Sequence, residues 1–301
     1  MRILMTGANG FVGRHLGPVL AAAGHDVISV AGPTASGVLH LDLTNEVEAT
    51  QVVNAYRPEA IIHLAAQSSV GRSWRDPAGT LAVNAIGTVH LWNAAVTGGV
   101  RRFVYSSTAE VYGTGSPQPL NEDIPVAPCN PYGVSKAAAE QLLEQFHHNS
   151  PIELLILRPF NHIGPGQAPG FVVSDFVRQI GRVKAHEANA IRVGDLTPVR
   201  DFLDIRDVVD AYRVAVDASG LQGVYNLCSG YGRTIQSVLR DLMAIAGVSF
   251  LVQQDSHLIR PVDTPLLVGD AARFRGATGW TPRYPWSETL RSILVGSPAP
   301  P

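Results

Sequence analysis

The 301-residue chain carries 23 Lys and Arg against 25 Asp and Glu, a formal net charge of −2, so no basic footprint points to nucleic acid or an anionic membrane as partner. Its two cysteines, Cys129 and Cys228, lie far apart without metal-ligand spacing, which sets aside a disulfide framework and fits reduced thiols in a cytoplasmic setting. No apolar run reaches membrane-spanning length, no signal-peptide layout precedes the first predicted strand, and the length suits about two domains.

The first sixteen residues, MRILMTGANGFVGRHL, predict a strand near 2–6, a tight turn and a helix. Gly7, Gly10 and Gly13 let the backbone turn sharply and admit a pyrophosphate. Asn9, Gly10, Phe11 and Val12 open the helix and turn its unpaired N–H groups toward phosphate. Strand before and helix after make this a dinucleotide cradle. The helix ends near Gly24 and residues 25–30 predict a second strand. Where many NAD enzymes then place a ribose-binding acid, this chain has Ala31. Without that carboxylate a 2′-phosphate meets no repulsion, which favours NADP while admitting NAD, and Arg14 is the nearest cation to meet it. A third short strand near 38–41 brings Asp42 and Leu43 toward the adenine; capping the helix predicted over 46–56 is the competing role for Asp42.

Residues 60–64 form a continuous apolar run of the buried parallel type. In HLAAQ, Leu64, Ala65, Ala66 and Gln67 follow, and the small residues leave room for a ligand beyond the carboxyl edge of the sheet. Pro77 opens a helix predicted to run unbroken to about Thr97, and the next strand covers 102–107. With further strands at 153–158 and 224–228, the alternation predicts an α/β fold with a doubly wound parallel sheet.

Beyond the strand at 102–107, YSSTAEVYG supplies Ser106, Ser107, Thr108 and Glu110. NPYGVSKAAAEQLL then opens a helix over about 131–148 with Tyr132 and Lys136 one turn apart on the same face. A phenol with a pKa of about 10 is a poor acid at neutral pH, and a lysine at i+4 is expected to lower it. Thr108 offers a hydroxyl to hold a substrate oxygen beside the phenol. A proton donor and an electrophilic clamp are what carbonyl reduction needs next to a nicotinamide.

Together these motifs resemble the extended short-chain dehydrogenase/reductases, a family acting mostly on nucleotide sugars. TGANGFVG is similar to its glycine motif, HLAAQ to its fourth-strand motif, Asn84 in VNAIGT to its helix asparagine, and Thr108, Tyr132 and Lys136 to its catalytic hydroxyl, tyrosine and lysine. The resemblance implies a Rossmann-type sheet, Lys136 on the nicotinamide ribose and Tyr132 as general acid. It also implies a homodimer paired through the helices at 78–97 and 131–148, which are apolar beyond one stripe.

In the second half, RPFNHIGPGQ, VRDFLDIRDV, VYNLCSG, RPVD and GW resemble the GDP-4-keto-6-deoxy-D-mannose reductases. That likeness implies NADPH-dependent reduction of a 4-keto sugar nucleotide to GDP-D-rhamnose or its C4 epimer. It places Pro159 and His162 beside the nicotinamide and Asn161 near the sugar diphosphate. It gives Arg178, Arg200 and Arg260 the nucleotide and diphosphate, and Asp263 the nucleoside ribose; guanidinium forks suit phosphate oxygens. The expected domains are residues 1–158 with a return segment at about 199–228, binding the dinucleotide, and a smaller C-terminal lobe of about 159–198 and 229–301, binding the nucleotide sugar. Glu110 also stands at this position in GDP-mannose 4,6-dehydratases, where it takes the sugar C5 proton, so a dehydratase is the alternative reading and a 4-epimerase a third. Retention of Thr108, Tyr132 and Lys136 weighs against a catalytically silent binding protein.

Overall fold

The computed structural model describes residues 1–32, 38–114, 119–258 and 264–296. The first half alternates strand and helix: β1 Arg2–Thr6, α1 Phe11–Ala22, β2 Asp26–Ala31, β3 Leu39–His40, α2 Glu46–Tyr56 and β4 Ala60–His63. Three helical pieces follow, α3 Val70–Arg75, α4 Pro77–Leu81 and α5 Gly87–Thr97, then β5 Arg102–Ser106, α6 Pro131–His147 and β6 Glu153–Pro159. The second half adds β7 Asn161–Ile163, α7 Val172–Lys184, β8 Ala190–Val193, β9 Val199–Asp204, α8 Ile205–Asp217 and β10 Gly223–Leu227. It ends with β11 Gly232–Thr234, α9 Ile235–Ala246, β12 Leu251–Gln254, β13 Leu266–Leu267, α10 Ala272–Thr278 and α11 Trp286–Gly296.

Seven strands form one parallel sheet in the order β10-β6-β5-β4-β1-β2-β3. β4 and the middle of β1 and β5 are buried on both faces, which is why they read as apolar runs rather than alternating ones. One face packs Leu16, Leu20, Val208 and Tyr212 of α1 and α8; the other packs Val53, Leu91, Trp92 and Leu143 of α2, α5 and α6. Strand order reverses between β1 and β4, so their carboxyl ends open a crevice where doubly wound sheets bind ligands.

A smaller sheet, β11-β9-β13 with β7 also on β9, and the pair β12-β8 belong to the second half, with their own core of Phe176, Ile180, Val238, Leu242 and Leu290. β9 opens the segment expected to return to the large sheet, yet it sits at the centre of the small one; of that segment, α8 and β10 return. A strand's sheet is decided by its long-range partners, which apolar runs do not name.

The helix expected to run unbroken from Pro77 to Thr97 is interrupted by a π-helical turn, Ala82–Ile86, with Asn84 inside it. Such a turn puts one extra residue into the spiral and commonly marks functional sites. Gly87 follows because a Cβ there would stand 2.8 Å from Leu43 Cβ.

Candidate active site

The glycine turn is built by close backbone approach. Gly7 has φ +73, and a Cβ on it would lie 2.7 Å from Ala65 N; one on Gly13 would lie 2.3 Å from Gly7 O. Only glycine permits this packing of turn, helix and β4 extension. Gly10 precedes α1 and offers no side-chain cap, so the helix's first-turn N–H groups face the crevice unclaimed by side chains. This arrangement fits the diphosphate of a dinucleotide.

From this turn a cleft of about 1610 Å³ runs across the carboxyl edge of the sheet into the second half. Single small-ligand pockets span roughly 300–1,000 Å³, so the cleft has room for a dinucleotide and a second ligand. It brings together Gly7, Asn9, Gly10, Phe11, Val12, Gly13, Asp42, Leu43, Leu64, Ala65, Ala66 and Gln67 along one arm. Thr108, Glu110, Tyr132, Lys136, Pro159, Asn161 and His162 sit at its middle, and Arg178 and Arg200 line the far arm. Arg72, Arg182, Arg192 and Asp255 also line it, and no local motif in the sequence marks them.

The structure gives several of the expected residues specific partners. Arg14 does not line the cleft; its Nη2 donates to Gly166 O at 2.8 Å and pins the loop after β7 to α1. Asp42 does not cap α2, because Asn45 Oδ1 does so by accepting from Val47 N and Glu48 N, while Asp42 accepts from Thr44 N and Oγ1. Those bonds hold its carboxyl below the usual range. Asn84 lies behind the lining, its Oδ1 accepting from Gln67 N at 2.7 Å. Arg178 is half-exposed and paired with Asp175 at 3.2 Å. Arg200 is buried, with Nη1 donating to Val199 O at 2.9 Å. Arg260 and Asp263 lie outside the described residues.

At the centre, Asn130 caps α6 by accepting from Gly133 N at 2.8 Å, and Tyr132 N donates to Ser73 Oγ at 3.1 Å. Tyr132 and Thr108 both line the cleft, with Thr108 Oγ1 accepting from Glu110 N at 3.2 Å. Lys136 is buried, its Nζ 4.2 Å from the centre of the Tyr105 ring. The expected lowering of the phenol pKa is not what the geometry gives. Burial pushes Tyr132 up to about 12, with the Thr108 hydroxyl opposing and Glu110 adding to the rise. Burial instead lowers Lys136 to about 7, opposed by the charge of Glu140. The i+4 spacing carries no information about its surroundings, and desolvation outweighs the lysine. Ser107 Oγ is buried with no partner among the described residues, an orphan that a ligand in the cleft would satisfy.

A parallel sheet with an uncapped glycine turn at its switch point, and a hydroxyl, a phenol and an amine one strand away, defines a dinucleotide-dependent oxidoreductase. Residues 3–228 match the NAD dependent epimerase/dehydratase family, and the chain belongs to it. It is 38% identical over 297 residues to the GDP-6-deoxy-D-mannose reductase of Pseudomonas aeruginosa, covering 97% of this chain and 96% of that one. Among solved structures it resembles RMD of Pseudomonas aeruginosa complexed with NADPH (TM-score 0.88, 38% identity, 98% of each chain). It also resembles UDP-glucose 4-epimerase of Thermus thermophilus complexed with NAD (TM-score 0.88, 30% identity, 98% of each chain).

Proposed function

We propose that this protein reduces the 4-keto group of GDP-4-keto-6-deoxy-D-mannose with NADPH, giving GDP-D-rhamnose or its C4 epimer. The observation that carries the reading is the grouping of Thr108, Tyr132 and buried Lys136 in a cleft continuous with the glycine turn and the arginine-lined far arm. Likeness over nearly the full length to a GDP-6-deoxy-D-mannose reductase supports the substrate.

Gly10–Gly13, Leu64–Gln67 and Pro159 would hold NADPH, which would supply the hydride when bound. Arg200 and Arg260 grip the sugar nucleotide's diphosphate, with Arg178 and Asp263 on the nucleotide and Asn161 near the diphosphate. Thr108 and Tyr132 donate to the 4-keto oxygen. With its pKa raised to about 12, the phenol holds its proton until charge develops on that oxygen, then gives it up. Charged Lys136 stabilises the phenolate left behind. The second-half sheets and α7, α9 and α11 form the lobe that holds the nucleotide sugar.

Trp74, Leu81, Ile86 and Val134 are exposed apolar residues on α3, α4, the π turn and α6, which pack against one another. They form the surface through which two copies pair. Among the described residues no helix is long and apolar enough to cross a membrane.

The test is incubation of purified protein with NADPH and enzymatically made GDP-4-keto-6-deoxy-mannose, following nicotinamide absorbance and the sugar by NMR. Oxidation matched by a 6-deoxyhexose is expected, and the C4 configuration names the product. No oxidation, with water lost from GDP-mannose instead, would replace this reading by a dehydratase acting through Glu110.

A further inference from the structure

Beneath the cleft floor a chain of hydrogen bonds runs from the glycine turn to the tyrosine helix, and His63 stands in its middle. His63 ends β4, is 1% exposed, and has both ring nitrogens engaged: Nδ1 lies 2.7 Å from Thr6 Oγ1 and Nε2 3.0 Å from Thr88 Oγ1. The Thr88 hydroxyl donates to Asn84 O at 2.7 Å, so its proton is committed and its oxygen accepts from the ring. His63 is therefore neutral with its proton on Nε2, and Nδ1 accepts from Thr6. Neither nitrogen reaches the cleft, and His63 does not line it.

Each end of this chain reaches a part of the site. On one side Thr6 Oγ1 accepts from Ala65 N at 3.2 Å, which sets the spacing where a Cβ on Gly7 would collide with Ala65. On the other, Asn84 O belongs to the π turn, and its Nδ2 donates to Ser135 Oγ at 2.9 Å and to Gln67 O at 3.0 Å. Ser135 Oγ donates to Tyr132 O at 2.7 Å. A buried polar group left without its partner loses its hydration with nothing in return, so the π turn and the first turn of α6 are held in one arrangement only while the chain is complete.

We infer that His63 is a positioning residue: its two nitrogens couple the dinucleotide turn, through Thr6, to the catalytic tyrosine, through Thr88 and Asn84. The turnover part of this inference rests on the reductase reading; the cofactor part does not. The coupling is directional, with Nδ1 serving the cofactor side and Nε2 the tyrosine side.

Three substitutions separate the two sides. In His63→Asn the amide sits near the place of Nδ1 and keeps the Thr6 bond; in His63→Gln it sits near Nε2 and keeps the Thr88 bond; His63→Leu keeps neither. The readouts are NADPH affinity by fluorescence titration without sugar, kcat and KM for the 4-keto sugar, and hydrogen exchange at residues 132–136. His63→Asn is expected to hold NADPH normally while losing at least about tenfold in kcat, with faster exchange at 132–136 and an unchanged sugar KM. His63→Gln is expected to reverse the pattern, and His63→Leu to show both losses. Should these variants fold poorly, Thr88→Val against Thr88→Ser tests the same link: Val loses kcat and protection, and Ser restores both. Parallel loss of affinity and turnover in Asn and Gln variants, or no change at 132–136 in His63→Leu or Thr88→Val, would overturn the inference. If the parent turns over no 4-keto sugar, the reductase reading fails while affinity and exchange still decide this one.

Discussion

The Glu110 carboxylate accepts a hydrogen bond from Asn130 Nδ2 at 2.8 Å, which ties the end of β5 to the residue that caps the tyrosine helix. One carboxylate oxygen is thereby engaged in holding Tyr132 in place, a duty that needs an acceptor and no proton transfer. Glu110→Gln keeps an acceptor oxygen at that position. Its reductase kcat is expected to stay close to the parent value, since loss of a working base costs on the order of a hundredfold or more. A hundredfold fall in steady-state turnover with unchanged Tm would give the carboxylate a chemical role.

On the proposed reading, Tyr132 and Lys136 set the pH dependence. The phenol, raised to about 12, stays protonated through the neutral range, while the ammonium, lowered to about 7, is lost as pH rises through that value. Phenolate stabilisation is therefore present below about 7 and fades above it. The kcat profile of the parent is expected to fall on its alkaline side with a midpoint near 7 rather than near 10. Tyr132→Phe should lower kcat at least about a hundredfold across the profile and leave NADPH affinity intact. An alkaline midpoint near 10 would mean that Lys136 is not desolvated during turnover.

The glycine turn is legible in the sequence because its chemistry is local: glycine spacing, a strand before and a helix after all lie within the first sixteen residues. Tyr132 and Lys136 are legible for the same reason. What escapes is set by tertiary placement. The burial that moves both pKa values is made by elements distant in sequence, the π turn Ala82–Ile86 contains no Pro or Gly to announce it, and Arg192 and Asp255 meet only because β8 and β12 pair. Arg14 reads as a phosphate ligand from its place after Gly13, but the loop that claims it lies some 150 residues away in sequence.

Gly13→Ala tests how strictly the turn needs its glycines. The new Cβ would meet Gly7 O at 2.3 Å and Ala8 Cα at 2.8 Å, both backbone atoms that move only if the turn opens. Overpacking of this kind costs typically about 1–3 kcal/mol. Thermal denaturation is expected to show a lower Tm, and titration a weakened NADPH complex. An unchanged affinity would show that the diphosphate does not depend on the tight form of the turn.

The buried pair Arg158 and Glu140 joins stability to the site, because Glu140 lies one turn beyond Lys136 and its charge opposes the lowering of the lysine's pKa. Arg158 Nε donates to Glu140 Oε1 at 3.0 Å and Nη2 to Oε2 at 2.6 Å, both residues being nearly inaccessible. Its Nη1 donates to Tyr112 Oη at 3.0 Å. Arg158→Met leaves the Glu140 charge buried alone, a loss on the order of 3–5 kcal/mol by chemical denaturation. Adding Glu140→Leu removes that stranded charge, and the double variant should recover most of the stability. It should not recover turnover at neutral pH, because without Glu140 the lysine gives up its proton more readily and the alkaline limb moves to lower pH. A double variant that regained both would show that Glu140 supports the fold alone.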